Sequence, residues 1–292
     1  MDGRTFFLNG SAGTGKTFLY NTVAASCRLR GYIVLTVASS GIASLPLVGG
    51  RTAHSTFKIP IEINVTSVWS IPKQSSTAKF LKEAKLIIWD EVPMQHRFCV
   101  ESVNRLLKNI RGNELAFGGI TVVMGGDFRQ TLPVIPNGGR ADVVGACVRR
   151  SVLWNNITVL TLIKNMRLDL QDPENKIFSE FLLKVGTEPE EKVQLPSSVN
   201  RCKDMEDLIC KLYPRLSKIH PHSGTSGQVS EEELTERIIL SARNNDINEI
   251  NMEALNILEG ETFTYLAADK LNPDESCGIP NFTNEFLQNL NP

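Results

Sequence analysis

The sequence predicts an α/β fold, a mostly parallel sheet flanked by helices, and three observations carry that prediction. Short apolar runs rich in β-branched residues recur at Thr5–Leu8, Ile33–Ala38, Leu86–Trp89, Ile120–Met124 and Ile157–Leu160. Continuous runs of this length suit strands buried on both faces of a parallel sheet. Helical spacing sits between them, and a glycine-rich turn joins the first run to the first helical pattern.

The elements follow in order. Phe18, Leu19, Val23 and Cys27 are spaced for one face of a first helix. Cys99, Val103, Leu106, Leu107 and Ile110 repeat that spacing after the third apolar run. The alternation predicts a doubly wound domain over residues 1–185. Residues 186–232 hold clusters such as Gly186-Thr187-Glu188-Pro189 and Pro221-His222-Ser223-Gly224, read as a linker around one helix near Met205–Leu212. Ile238-Ile239-Leu240 reads as a further buried strand, with a helix through Ile247, Ile250, Ala254, Ile257 and Leu258 and a stop at Gly260. Residues 233–292 are thus the expected start of a second α/β domain, too short to complete its sheet.

Gly10-Ser11-Ala12-Gly13-Thr14-Gly15-Lys16-Thr17 fits the phosphate-binding pattern G-x-x-x-x-G-K-[ST], with a strand before it and a helix after it. Glycines let backbone N–H groups wrap a phosphate, and the helix that follows points its positive end at the anion. Lys16 is placed to reach the β- and γ-phosphates, and the Thr17 hydroxyl to ligate Mg²⁺. Leu86-Ile87-Ile88-Trp89-Asp90-Glu91 puts two carboxylates at the end of a core strand, where open α/β sheets bind ligands. Asp90 is expected to hold the metal and Glu91 to polarise the attacking water. That division of labour points to hydrolysis. Gly125-Gly126-Asp127-Phe128-Arg129-Gln130 follows another strand, and Gln130 has an amide suited to a phosphate oxygen or the lytic water; a plain Gly-Gly-Asp turn is the alternative.

These segments are joined, in order, by Ser40-Gly41-Ile42-Ala43, Gly50-Arg51-Thr52-Ala53-His54-Ser55, Asp90-Glu91-Val92-Pro93-Met94 and Asn165-Met166-Arg167. The whole series resembles the Pif (petite integration frequency) helicases of superfamily 1B, most of all the versions carried by rolling-circle transposons. The resemblance implies two RecA-like domains and ATP-driven 5′→3′ unwinding of DNA, in repair, recombination and telomere maintenance. It implies Mg²⁺ as cofactor, ATP as substrate, and single strands and duplex/single-strand junctions as partners. It implies an intracellular protein, in the nucleus, with the mitochondrion as the alternative. Glu91, Lys16, Gln130 and Arg167 match catalytic positions, Arg167 as a γ-phosphate contact. Ser40, Thr52, His54 and Ser55 match segments lining the single-strand track. Val92 replaces the usual alanine. A base-reading glutamine upstream and later second-domain motifs have no match, so the chain reads as truncated at both ends. A non-coupling remnant that binds nucleotide or DNA without unwinding is the alternative function.

The chain has 292 residues and a net charge of −1, which alone argues against a nucleic-acid binder. The total hides an asymmetry: residues 1–170 carry 20 Lys/Arg against 10 Asp/Glu, and residues 171–292 carry 11 against 22. The basic part coincides with the phosphate loop and the track segments, as a polyanion partner requires. No apolar run approaches the roughly 18 residues of a membrane span. The six cysteines, Cys27, Cys99, Cys147, Cys202, Cys210 and Cys277, are scattered and read as reduced thiols. His220 and His222 read as a solvated loop rather than a metal pair, and Glu231-Glu232-Glu233 as a solvated first turn. Phe57 and Trp69 are candidates for base stacking or for core packing.

Overall fold

The computed structural model describes residues 3–67, 71–168, 172–188, 194–214, 235–241, 243–257 and 263. Trp69, His220, His222, Glu231–Glu233, Gly260 and Cys277 lie outside the described residues. The chain divides into two compact units, residues 1–199 and residues 200–292.

The first unit is built on six strands: β1 (Thr5–Gly10), β2 (Ile33–Ala38), β3 (Arg51–Thr52), β4 (Ala84–Asp90), β5 (Thr121–Gly126) and β6 (Thr158–Leu162). They form one sheet in the order β3-β2-β4-β5-β1-β6, and every neighbouring pair is parallel. Its helices are α1 (Lys16–Leu29), α2 (Gly41–Ser44), α3 (Ala53–Phe57), α4 (Ser76–Glu83), α5 (Arg97–Arg111), α6 (Arg140–Ala146) and α7 (Pro173–Thr187). All five expected strands are present. The sixth, β3, is two residues long and leaves no pattern to read.

Alternation along the strands sorts the side chains into two cores. Phe7, Leu35, Ile87, Trp89, Val122 and Met124 pack on one face against Val100, Val103, Leu106 and Leu107 of α5 and Leu81 of α4. Leu8, Val34, Leu86 and Ile88 pack on the other face against Tyr20 and Ala24 of α1. Helices thus cover both faces, as a parallel sheet requires. The α5 face anticipated from its spacing is buried throughout.

Three expectations need correction. The buried residues of α1 are Lys16, Tyr20 and Ala24, with Val23 and Cys27 partly buried beside them, whereas Phe18 is 78% exposed. Lys16 lies in the phosphate loop, and the i, i+4, i+8 row from it faces the sheet, so the apolar Phe18 and Leu19 are turned outward. Strand β6 is not buried on both faces; Val159 and Leu160 are about half exposed, because β6 is the sheet's last strand and has only β1 beside it. In the second unit, Ile238–Leu240 form no strand, and Ile238 and Leu240 are exposed. A strand needs a partner, and no strand is present among the described residues of that unit. The two expected helices are there, α8 (Met205–Leu212) and α9 (Asn244–Ile257), burying Ile209 and Ile250.

No helix among the described residues is long and apolar enough to cross a membrane. Cys27, Cys99, Cys147, Cys202 and Cys210 are free thiols.

Candidate nucleotide and nucleic-acid site

Because all six strands run parallel, their C-terminal ends share one edge, and every candidate residue follows one of those ends. The phosphate loop follows β1, Ser40 follows β2, and Thr52 to Ser55 span the end of β3 and α3. Asp90-Glu91 ends β4, Gln130 follows β5 and Arg167 follows β6. The order of the sheet divides them. A cleft of about 440 Å³ is lined by Ser11 to Phe18, Asp90, Glu91, Gln130, Met166 and Arg167. It lies over β1, β4, β5 and β6. Ser40, Thr52, His54 and Ser55 lie over β2 and β3, outside that cleft, so the two groups divide between β2 and β4.

The loop's shape follows from its glycines. Gly13 and Gly15 take φ of 80° and 90°, the left-handed region where a Cβ is costly. A Cβ on Gly13 would also lie 2.6 Å from Asn165 Oδ1. Gly15 is the N-cap of α1 and supplies no side-chain cap, so the first N–H groups of that helix remain open to an anion. Lys16 is 8% exposed; its Nζ donates to Gly10 O at 2.7 Å and Ser11 O at 3.3 Å. The β6 loop clasps this turn. Met166 N donates to Gly13 O at 2.8 Å, and Asn165 Oδ1 accepts from Arg167 N at 2.9 Å, which carries the Arg167 backbone to the rim of the cleft.

The acid pair is set by burial. Asp90 is 5% exposed, and desolvation raises its pKa; the Glu91 N–H, donating to Oδ1 at 3.0 Å, and the charge of Lys16 oppose that rise. Glu91 is pushed up to about 7, first by desolvation, then by the charge of Asp90, with Lys16 opposing and Asp127 adding to the rise. Its Oε2 is buried without a hydrogen-bond partner. Its backbone sits at φ 52°, ψ 38°, a left-handed conformation that costs a non-glycine residue about 1–3 kcal/mol and tends to occur where a site needs it. A buried acceptor with no partner, at a strand end facing a phosphate loop, is suited to a water molecule.

Among the described residues no group of three or more His, Cys, Asp or Glu side chains could hold a metal. Thr17 and Asp90 offer two oxygens at the cleft. Such a set fits Mg²⁺, which keeps several waters and takes further oxygens from substrate phosphates.

Three residues to which motif reading assigned no role shape the site. Tyr20, one turn after Lys16, is 1% exposed, and its hydroxyl meets no partner at ordinary hydrogen-bonding geometry. Burial raises its pKa far above the ordinary range, and the charges of Asp90 and Glu91 add to that. Gly125 makes room for it: a Cβ there would overlap the Tyr20 hydroxyl and lie 3.0 Å from Leu8 O. Gly125→Ala is expected to destabilise the protein by about 1–3 kcal/mol in urea unfolding. Tyr20→Phe, which removes the overlapped oxygen, should restore part of the loss; no recovery would show that the contact is not the cause. Asp127, 5% exposed, accepts from Arg129 N at 3.1 Å and pairs with Arg129 Nε at 2.8 Å, closing the turn that carries Gln130. Gln95, 6% exposed, places its Nε2 3.3 Å from His54 Nδ1, joining the segment after Glu91 to the track candidates.

The track candidates have local partners. Ser40 and Thr52 are the N-caps of α2 and α3, accepting from Ala43 N and Ser55 N. His54 is half-buried, which lowers its pKa and favours the neutral ring. Phe57 is fully buried with its ring 5.6 Å from that of Trp89. It is a core residue, and the base-stacking alternative is withdrawn. Beside the outer edge of β2 runs a groove of about 630 Å³ that carries Arg28, Arg51, Lys58 and Ser55.

Comparison with known proteins bears on the same region. The family description "PIF1-like helicase" matches residues 1–194. The chain is 28% identical over 267 residues to the ATP-dependent DNA helicase Pif1 of a Psychrobacter strain, covering 91% of this chain and 37% of that protein. It is 27% identical over 257 residues to ATP-dependent DNA helicase PIF1 of Emericella nidulans, covering 84% of this chain and 33% of that one. The chain therefore spans about a third of the length of these relatives. The fold resembles a crystal structure of the Bacteroides Pif1 helicase in complex with ADP-AlF3 and ssDNA, with a TM-score of 0.65 at 23% identity, covering 94% of this chain and 58% of that one. The family match takes in all six strands and every residue of the cleft, and on that match the chain belongs to the PIF1-like helicase family.

Proposed function

We propose that this chain carries the ATP-hydrolysing motor of a 5′→3′ DNA helicase. The observation that carries the reading is the single cleft lined by Lys16, Thr17, Asp90, Glu91, Gln130 and Arg167. In it Lys16 and the open end of α1 bind the phosphates, Glu91 orients the attacking water and takes its proton, and Gln130 and Arg167 hold the γ-phosphate oxygens. Thr17 and Asp90 are the residues that would hold Mg²⁺, which neutralises phosphate charge when bound. The family match and the relatives named as ATP-dependent DNA helicases disfavour a non-coupling remnant.

Single-stranded DNA is proposed to lie over β2 and β3, contacting Ser40, Thr52, His54 and Ser55, with Arg28, Arg51 and Lys58 attracting its phosphates. Residues 233–292 are proposed to open a second RecA-like domain after the linker of residues 186–232. A DNA substrate fits an intracellular protein, and the nucleus is the compartment proposed, with the mitochondrion as the alternative. The relatives named as DNA helicases support the activity. The test is strand separation on partial duplexes bearing only a 5′ or only a 3′ single-stranded tail. Unwinding of the 5′-tailed substrate with ATP, and ATP turnover that rises on adding single strands, are expected. Unwinding of only the 3′-tailed substrate, or turnover indifferent to DNA, would refute the reading.

A further inference from the structure

We propose that Ser39 is a positioning residue for Glu91, a latch that holds the carboxylate's backbone in its left-handed turn and ties it to the segment proposed to meet DNA. The inference rests on the reading that Glu91 acts on the lytic water. The β2–β4 ladder ends at the pair Ala38 and Asp90. One residue beyond it, Ser39 takes over. Its N–H donates to Asp90 O at 3.1 Å, and its Oγ donates to Glu91 O at 2.6 Å while lying 3.3 Å from Asp90 O. One residue therefore engages both carbonyls of the acid pair.

The second of these bonds matters more, because Glu91 occupies a conformation that a non-glycine residue abandons when nothing holds it. Without the hydroxyl, the one partner left to Glu91 O among the described residues is Met94 N, at 3.2 Å. The side chain has little slack. Gly126 gives it room, since a Cβ there would lie 3.2 Å from Glu91 Oε2 and 2.5 Å from Pro93 Cδ. A relaxed backbone moves Oε2 out of that space and away from the cleft. Ser40, the next residue, caps α2 and begins the proposed track. A displacement of that segment is thus transmitted to Glu91 through one hydrogen bond.

The test compares Ser39→Ala and Ser39→Thr with wild type in the full chain, by two readouts. The first is amide hydrogen exchange of residues 90–95 in the nucleotide-free protein, which needs no activity. Ser39→Ala is expected to speed exchange there and leave β1 and β5 unchanged; Ser39→Thr, which keeps a hydroxyl, should restore protection. The second is steady-state ATP hydrolysis with single-stranded DNA. Ser39→Ala should lower kcat by about 10- to 100-fold with KM for ATP within about twofold, the pattern of a misplaced group rather than of lost binding. In a Glu91→Gln background the same change should cost nothing further. Unchanged exchange at residues 90–95, or a full additional loss in that background, overturns the latch. Wild-type protein that fails to hydrolyse ATP overturns the functional reading instead, and the exchange result still decides the latch.

Discussion

Lys16→Ala is expected to lower the kcat of ATP turnover by about a hundredfold to a thousandfold, measured as phosphate release in the presence of single-stranded DNA. Lys16 is 8% exposed, and its ammonium is bonded to the carbonyls of Gly10 and Ser11 at 2.7 and 3.3 Å, a cation held over the loop that wraps the phosphates. No other basic side chain of α1 lies in the cleft, and Arg167 lines it from the β6 loop, beside Gly13. Alanine leaves charge developing on the transferring phosphoryl group without its nearest cation. The fold should survive, because the strands and the α5 core do not depend on this side chain, so the variant's melting temperature is the control. Full turnover in a folded Lys16→Ala protein would remove the phosphate loop from the mechanism.

The cleft was legible in the sequence because its parts are local. The spacing of Gly10, Gly15, Lys16 and Thr17 is fixed by one turn of chain, and Asp90-Glu91 by the end of one apolar run. Five strands announced themselves as continuous β-branched runs for the same reason. What escaped reading is long-range. Ser39 meets Glu91 across 52 residues and Gln95 meets His54 across 41, and no spacing rule links such partners. Tyr20 was hidden by its neighbours: Phe18 and Leu19 gave the stronger apolar signal, yet the face of α1 is chosen by Lys16, whose position the phosphate loop dictates. Phe57 was open to two readings because an aromatic residue between core strands looks the same whether it packs against Trp89 or stacks on a base. The segment from Ile238 to Leu240 carries the composition of a strand, but pairing is a property of the partner.

Glu91→Gln separates binding from chemistry at this site. The amide keeps the size of the carboxyl group and loses its charge and basicity. Turnover should fall by about 10² to 10⁴-fold, the contribution of a placed general base. Nucleotide affinity should hold or rise, since one negative charge facing the phosphates is gone. A second signature needs no activity. In the nucleotide-free protein Glu91 is raised to about 7 from 4.5 by burial and by Asp90, so the folded state holds its proton more tightly than the unfolded chain does. For an acid raised in this way, stability is fully present below about pH 4.5 and declines as pH climbs through about 7, because the native state must then carry a poorly solvated charge. The glutamine variant carries no such charge. Urea unfolding at a series of pH values should therefore find Glu91→Gln matching wild type near pH 4.5 and exceeding it above pH 7. A wild-type advantage at high pH would mean that Glu91 is stabilised as a carboxylate, bound to a partner rather than held ready for water.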